Sequence, residues 1–429
     1  MDDPQVLDRM RADWNQRAAE DANYYVAFGR RQQDEAEFFA TGADVMRGLE
    51  VEMKRCAARH TALEIGCGPG RLMRPMSRHF REVHGVDVSD EMIRLARERL
   101  RDTPNAFPVH GTGADLAMFG DGAFDFVYSY AVFQHIPSRA VVFQYLREAW
   151  RVLKPGGILR CQLNGLPAHA RRYDTWSGVR IAPEEIRSFA RENQFQLLAL
   201  EQIWTQYMWV TCRKRGAMLA ISPARPPRIH NISNALTGEA AAPSAGGLAA
   251  ICVWVESLPA TCDLNNTVIT ADGRPCRLIY IGPPAADGVV QTTAALPEGL
   301  RSGLVPVEVS LEDRSVCPPA WVRIIPAGPL VPRLTAVSDG VNLLSGNRIV
   351  TGLVKVALEE VADATAFRAT VDGLEALDID SFCTDPVMQR WEFNFRLPPA
   401  IAPGPHQVAI ALGRRTIACV PIEVAGDAA

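Results

Sequence analysis

Three glycines spaced two apart limit what this chain can fold into more than any other stretch. Leu63-Glu-Ile-Gly66-Cys-Gly68-Pro-Gly70-Arg-Leu follows an apolar, strand-like run and opens a helix-compatible one. Glycines at such a junction let the backbone turn sharply and let a ligand approach the main chain. The N–H groups left free in the loop and helix start suit a polar or anionic group. A glycine loop alone is weak evidence, but this one has support. Val86-Asp87 ends the next strand-like run, 17 residues past Gly70, where a carboxylate can accept hydrogen bonds from both ribose hydroxyls of a nucleoside. The spacing G-x-G-x-G does not fit the dinucleotide fingerprint G-x-G-x-x-G. No Gly-Lys-Ser/Thr follows, which argues against nucleoside triphosphate hydrolysis.

The surroundings extend the pattern. Thr61–Ile65, Val83–Asp87, Phe124–Ser129 and Gly157–Leu163 read as strands, and Arg71–Phe80, Asp90–Arg101 and Ser138–Leu153 as helices. Strands alternating with helices predict a parallel sheet covered on both faces. Phe195–Ile203 and Tyr207–Lys214 lie too close together for a crossover and predict an antiparallel hairpin. Residues 5–21 and about 31–58, ahead of the first strand, are charged and helix-compatible.

The motifs E-I-G-C-G-P-G-R, G-V-D-V-S-x-x-M, F-D-F-V-Y-S and L-K-P-G-G occur in that order. Over roughly residues 60–215 the chain resembles the class I S-adenosylmethionine-dependent methyltransferases, more narrowly their type 11/12 small-molecule group. The resemblance implies an α/β Rossmann-like domain with a seven-stranded sheet whose last hairpin is antiparallel. It also implies S-adenosylmethionine as cofactor and S-adenosylhomocysteine as product. Glu64 would close the first strand, and Gly66, Cys67, Gly68 and Gly70 would form the loop under the methionine part. Asp87 would hold the ribose, with Val88 and Met92 flanking the adenine. Ala114, Asp115 and Leu116, after Gly113, match the segment at the adenine edge. Asp115 would accept from the exocyclic amine, or alternatively cap a turn. Ser129, Tyr130 and Ala131 would line the methionine and the substrate entrance. Lys154-Pro-Gly-Gly157 would be a structural turn into the fifth strand.

Methyl transfer requires alignment of a nucleophile, exclusion of water and sometimes removal of a proton. His135, in Phe133-Gln-His-Ile-Pro137 just past the fourth strand, is the candidate general base. The alternative is an architectural histidine that holds its loop. Trp14, Arg17, Tyr24, Tyr25 and Arg30 precede the first strand and form a candidate lid. Tyr24 or Tyr25 would contact the methionine carboxylate or wall off solvent; otherwise they are a packing face. Arg171-Arg172, ahead of Trp176, would shape the acceptor pocket or sit in a solvated loop. No histidine–cysteine cluster has zinc spacing, so no metal site is expected.

Beyond the proline-rich stretch Ser222-Pro-Ala-Arg-Pro-Pro-Arg228 the hydrophobic period becomes two, an all-β signature. This half repeats itself: Asp272-Gly273 recurs as Asp372-Gly373, and Leu296-Pro297 as Leu397-Pro398. A period near 100 residues suits one sandwich domain. The repeats resemble bacterial immunoglobulin-like or IPT/TIG-like domains, which implies partner binding or spacing. Asp378 and Asp380 read as exposed strand or loop acids. The expected organisation is an N-terminal helical lid (1–59), a methyltransferase domain (60–215), a linker (216–227) and two sandwiches (228–326 and 329–426).

Charge follows the same division. Residues 1–228 hold 32 Lys+Arg against 28 Asp+Glu, and residues 229–429 hold 13 against 21. The basic helix face of Arg94, Arg97, Arg99 and Arg101 is interleaved with acids, so no nucleic-acid partner is expected. No run of about 18 apolar residues predicts a membrane span. The polar N-terminus and the scattered cysteines point to a cytoplasmic setting. The sequence therefore predicts methyl transfer to an O, N or C nucleophile, on a small-molecule acceptor. Residues 228–426 would bind a protein or glycan, or self-associate. The alternatives are a cofactor-binding scaffold, or methylation of a macromolecule recruited by the repeats.

Overall fold

The structure is a computed structural model that describes residues 4–27, 31–168, 173–216, 226–328, 330–341, 345–385 and 389–425. Arg30, Arg171, Arg172 and most of the linker 216–227 lie outside the described residues. The chain forms two compact units, Met1–Ala22 with Phe39–Ala327, and Asn23–Phe38 with Gly328–Ala429. Helix α1 (Pro4–Ala27) contains non-helical backbone at Asp21 (φ −170°, ψ 86°), next to the point where one unit gives way to the other.

The first unit is built on strands β1 (Thr61–Ile65), β2 (Glu82–Asp87), β3 (Ala106–His110), β4 (Phe124–Ser129), β5 (Leu153–Leu163), β6 (Phe195–Glu201) and β7 (Met208–Lys214). Their order is β3-β2-β1-β4-β5-β7-β6. The pairs β1–β2, β1–β4, β2–β3 and β4–β5 are parallel, and β7 runs antiparallel between β5 and β6. The remaining helices are α2 (Glu35–Ala40), α3 (Ala43–Met53), α4 (Met73–Met76), α5 (Asp90–Arg99), α6 (Arg139–Val152) and α7 (Pro183–Glu192).

Period-two alternation divides the sheet between two cores. Leu63, Ile65, Val127, Leu159, Cys161 and Leu163 join α6 and α7 on one side. Ala62, Phe126, Tyr128 and Ile158 pack with α3, α4 and α5 on the other. The helix expected over Arg71–Phe80 is a single turn. Pro75 supplies no N–H, and three-residue bonds from Arg78 N to Pro75 O (3.2 Å) and His79 N to Met76 O (2.9 Å) tighten the rest. Lys154-Pro-Gly-Gly157 lies inside β5, where the pairing with β4 shifts register. Ser89 and Ser138 cap α5 and α6 by accepting from Met92 N and Val141 N.

Residues 228–327 are joined to this layer. Strands Arg228–Asn234, Ala250–Glu256, Val289–Ala295 and Arg274–Pro284 pair antiparallel, and the last also pairs with Thr267–Ala271 of a second set. Tyr280 bridges Ala199, so Arg274–Pro284 extends the sheet beyond β6. Side chains reinforce the seam. Gln196 Nε2 donates to Ala260 O (2.7 Å) and Cys262 O (2.8 Å), Arg187 Nη1 to Leu264 O (2.5 Å) and Arg55 Nη2 to Ile281 O (2.7 Å). One buried apolar cluster runs from Leu197 and Leu200 through Ile251, Leu278 and Ile281.

In the second unit, Arg333–Asp339, Leu353–Glu359, Arg390–Arg396 and Leu377–Asp385 form one sheet. Phe367–Val371, Gly404–Leu412 and Arg415–Val424 belong to a five-stranded one. The two sheets share a core in which the Phe367 and Phe393 rings stack at 3.9 Å. The sequence repeat has a structural counterpart. Asp272-Gly273 and Asp372-Gly373 both turn hairpins, each with two positive φ values (53° and 71°; 48° and 84°). All ten cysteines are free thiols.

Candidate active site

The site forms at the C-terminal ends of β1, β2, β4 and β5, where open α/β sheets bind ligands. Gly66, Gly68 and Gly70 adopt φ of +74°, +50° and +86°. The tightest of the three is Gly66, where a Cβ would lie 2.3 Å from Val132 Cγ2. The loop is tied to β2 by Gly66 N and Cys67 N, which donate to Val86 O at 2.7 and 3.0 Å.

Asp87 stands at the end of β2. Its Oδ2 accepts from Gly68 N and its Oδ1 from Ser89 N, both at 2.9 Å. Burial pushes its pKa up, against the pull of these N–H bonds. Val88 packs on the Gly113 turn, where a Cβ would approach Val88 Cγ2 to 2.7 Å. Met92 N donates to Ser89 Oγ, and Met92 is buried. Ala114 N and Asp115 N donate to Thr112 Oγ1, while Asp115 Oδ1 accepts from Ala117 N at 3.1 Å, the turn-capping geometry. Leu116 is buried and its N–H donates to Glu148 Oε2 at 3.0 Å.

Glu64, at the end of β1, is 4% exposed and accepts from Tyr128 Oη at 2.9 Å. Burial raises its pKa to about 8, so it carries a proton at neutral pH. Cys67 is buried and its thiol is pushed up by that burial.

His135 lies in a short turn after β4 and is 6% exposed. Its Nδ1 faces Trp176 O at 3.1 Å, and the Trp14 ring meets it edge-on at 5.4 Å. Burial, then the nearby Arg17 guanidinium, lower its pKa to about 4. The imidazole is therefore neutral. Nδ1 carries the proton it donates to Trp176 O, and Nε2 accepts from the Gln134 side-chain Nε2 at 3.5 Å.

The first part of α1 lies across these elements. Asn15 Oδ1 accepts from Ser89 Oγ at 2.6 Å, and Val6, Leu7 and Met10 pack against the core. Thr175 Oγ1 donates to Asp13 Oδ2 at 2.5 Å, and Arg17 Nη1 donates to Thr175 O at 3.1 Å. The Arg17 guanidinium lies over the Trp14 ring at 4.7 Å and the Trp176 ring at 5.4 Å. Tyr24 and Tyr25 belong to the second unit, where their rings meet edge-on at 5.2 Å and Arg31 covers Tyr24 at 4.2 Å.

A cavity of about 340 Å³ opens between α3 and the β5–β7 part of the sheet. Tyr130, Arg160, Gln162 and Trp209 line it from the sheet, and Val45 and Gly48 from α3. Tyr130 connects it to the loop, because the Arg71 guanidinium lies over its ring at 5.4 Å. Ala131 follows in the left-handed region (φ 56°), and its N–H donates to Gln162 Oε1 at 3.2 Å. The sequence reading passed over Arg71, Arg160, Gln162 and Trp209. The available signal was Arg160 and Gln162, two polar residues alternating inside the apolar run Ile158–Leu163.

Residues 63–161 match a family model described as a methyltransferase domain. A phosphoethanolamine N-methyltransferase of Caenorhabditis elegans is 29% identical over 164 residues, 36% of this chain and 37% of its own length. A demethylmenaquinone methyltransferase of Staphylococcus aureus is 34% identical over 103 residues, 23% of this chain and 41% of its own. The chain thus spans well under half of each. A solved structure of a Haemonchus contortus phosphoethanolamine N-methyltransferase, in complex with phosphoethanolamine and S-adenosylhomocysteine, is 15% identical. It covers 51% of each chain with a TM-score of 0.39. Residues 63–161 of the chain thus match a methyltransferase domain.

Proposed function

We propose that the protein transfers a methyl group from S-adenosylmethionine to a small-molecule nucleophile. The observation that carries this reading is the glycine cradle. Its left-handed backbone and the Gly66 position, which has no room for a Cβ, lie beside a carboxylate fixed at the end of β2. These residues fit the cofactor. Gly66, Cys67, Gly68 and Gly70 would lie against its methionine part and Asp87 would accept from its ribose. Val88, Met92, Ala114, Asp115 and Leu116 would bound its adenine. Bound there, it supplies an electrophilic methyl carbon on a sulfonium.

The chain's own groups do the rest. Protonated Glu64 loses its proton as a positive charge comes near, and the carboxylate then balances that charge. His135 offers a neutral Nε2 that takes a proton from an O or N acceptor, its ring held by Trp176 O. The first part of α1, latched through Asp13, Arg17 and Thr175, keeps water from the site. Tyr24 and Tyr25 are read as packing side chains of the second unit. Residues 228–327 and the second unit are read as immunoglobulin-like sandwiches that dock a protein or glycan, or self-associate. Ten free thiols agree with a cytoplasmic setting.

The relatives' names span an aliphatic amine and a quinone precursor, so both acceptor classes belong in the test. Labelled S-adenosylmethionine incubated with metabolite pools should yield a labelled product, and mutation of Asp87 should abolish it. Cofactor binding without any labelled product would favour the second reading, a cofactor-binding scaffold.

A further inference from the structure

Thr267–Ala271, Gly303–Leu311 and Ala320–Ile325 lie side by side as antiparallel strands of residues 228–327. Period-two alternation turns Val305, Val307, Val309, Val322 and Ile324 into the core, where all are buried. An antiparallel sheet with one face on a core carries polar side chains on the other when water covers it. This outer face departs from that rule. Trp321 is 60% exposed and Leu304 51%, and Ile325 and Val268 are exposed beside them. Pro306, directly across from Trp321, continues the apolar row. Single apolar residues scattered over a surface are ordinary, but these share one face of adjacent strands.

Charge is arranged around that row. Glu308 is two residues past Pro306 on one strand, and Arg323 is two residues past Trp321 on the next. The strands are antiparallel, so the acid and the base lie on opposite sides of the row, about 13 Å apart along the strands at ~3.3 Å per residue. Both are exposed, and neither has an ion-pair or side-chain hydrogen-bond partner among the described residues. Nearby Asp272 and Arg301 neutralise each other, with Arg301 Nε and Nη2 donating to Asp272 Oδ2 and Oδ1 at 2.9 and 3.0 Å. Such a face is complementary to itself. A two-fold axis lying parallel to the sheet, along the Trp321–Pro306 row, stacks two copies face to face. It sets that row against itself and brings Glu308 of each copy within about one strand spacing, ~4.8 Å, of Arg323 of the other. An arginine side chain spans that offset.

We propose that this face docks on the same face of a second copy of the chain, giving a reversible two-fold dimer. The inference rests on the reading of residues 228–327 as a docking sandwich and chooses self-association from it. A strongly charged partner would gain nothing from one acid balanced by one base. A sugar would meet the aliphatic Leu304, Ile325 and Val268 where it needs hydrogen-bonding groups. The strands from Arg274–Pro284 to Ala241–Pro243 span about 20 Å across and about 25 Å along, on the order of 500 Å² per copy. Specific interfaces usually cover ~800 Å² per partner, so the pairing is weak and depends on concentration.

The test is sedimentation velocity of the full chain from about 1 to about 200 μM, where a monomer–dimer equilibrium should appear with a Kd on the order of tens of micromolar. Trp321→Ser should weaken association about tenfold or more. Glu308→Arg and Arg323→Glu should each weaken it about tenfold, because like charges then face each other across the axis. The double variant Glu308→Arg/Arg323→Glu should recover the parent's affinity to within about threefold, and the two single variants, mixed, should pair with each other more tightly than either does with itself. The substituted side chains are exposed, so melting temperatures should stay within a few degrees of the parent's. A chain that is monomeric at every concentration, or a dimer unmoved by Trp321→Ser and by both charge reversals, would overturn the proposal. A panel of neutral and acidic oligosaccharides, added to the same samples and read by tryptophan fluorescence, separates this failure from that of the docking reading. A monomer whose response to sugar is lost in Trp321→Ser overturns self-association alone, and a monomer with no response overturns both.

Discussion

Replacing His135 by asparagine should change how stability depends on pH. The asparagine amide can still donate to Trp176 O, but it does not titrate. In the folded chain His135 titrates near 4, below its ordinary 6.5, because burial disfavours the imidazolium. Below pH 6.5 the unfolded chain therefore binds a proton that the folded chain refuses. Stability is lost as pH falls from 6.5 to 4 and is fully present above 6.5. At 1.36 kcal/mol per pKa unit, the 2.5-unit depression corresponds to about 3 kcal/mol. Urea unfolding followed by tryptophan fluorescence, at intervals between pH 4 and 7.5, gives the difference between parent and His135→Asn. Subtraction removes the opposite trend of Glu64, whose raised pKa favours the folded state at low pH. The parent's advantage should shrink by about 3 kcal/mol across the window. Curves that stay parallel, or an imidazole titrating near 6.5 by NMR, would refute the burial argument.

Other perturbations test the remaining parts. Gly66→Ala forces a Cβ onto Val132 and a side chain into φ +74°; it should cost about 2–4 kcal/mol, and Val132→Ala should recover the steric part in a double-mutant cycle. Binding S-adenosylmethionine at pH 7 should release part of a proton from Glu64, seen as a buffer-dependent calorimetric enthalpy that disappears in Glu64→Gln. Thr175→Val removes the hydroxyl shared by Asp13 and Arg17 and should raise KM and lower kcat while leaving the melting temperature within a few degrees. Truncation before residue 228 cuts through the shared core, so it should give insoluble or unfolded protein; intact activity in that fragment would contradict the seam described at β6.

Much of this was legible in the sequence because it depends on local chemistry. The glycine loop, Asp87 and the strand–helix alternation are set by backbone requirements within about 30 residues, and the Asp-Gly hairpins by a turn that needs two positive φ values. What escaped the sequence depends on tertiary neighbours. Arg160 and Gln162 are two polar residues inside an apolar strand, and only the pairing with β7 places Thr211 and Trp209 across from them. The union of residues 228–327 with the sheet was hidden because Tyr280 pairs Ala199 across 81 residues. The linker's proline content marked a change of hydrophobic period, but a change of period does not by itself separate two cores. Arg71–Phe80 read as a helix because its apolar spacing is right, and Pro75 outweighed that pattern.

Cofactor recognition is the claim on which the others depend. Calorimetric titration of the full chain with S-adenosylhomocysteine, beside Asp87→Ala, measures it directly. One site per chain with micromolar affinity, weakened about a hundredfold or more by Asp87→Ala, is the predicted result. No binding, or equal binding by both proteins, would contradict it.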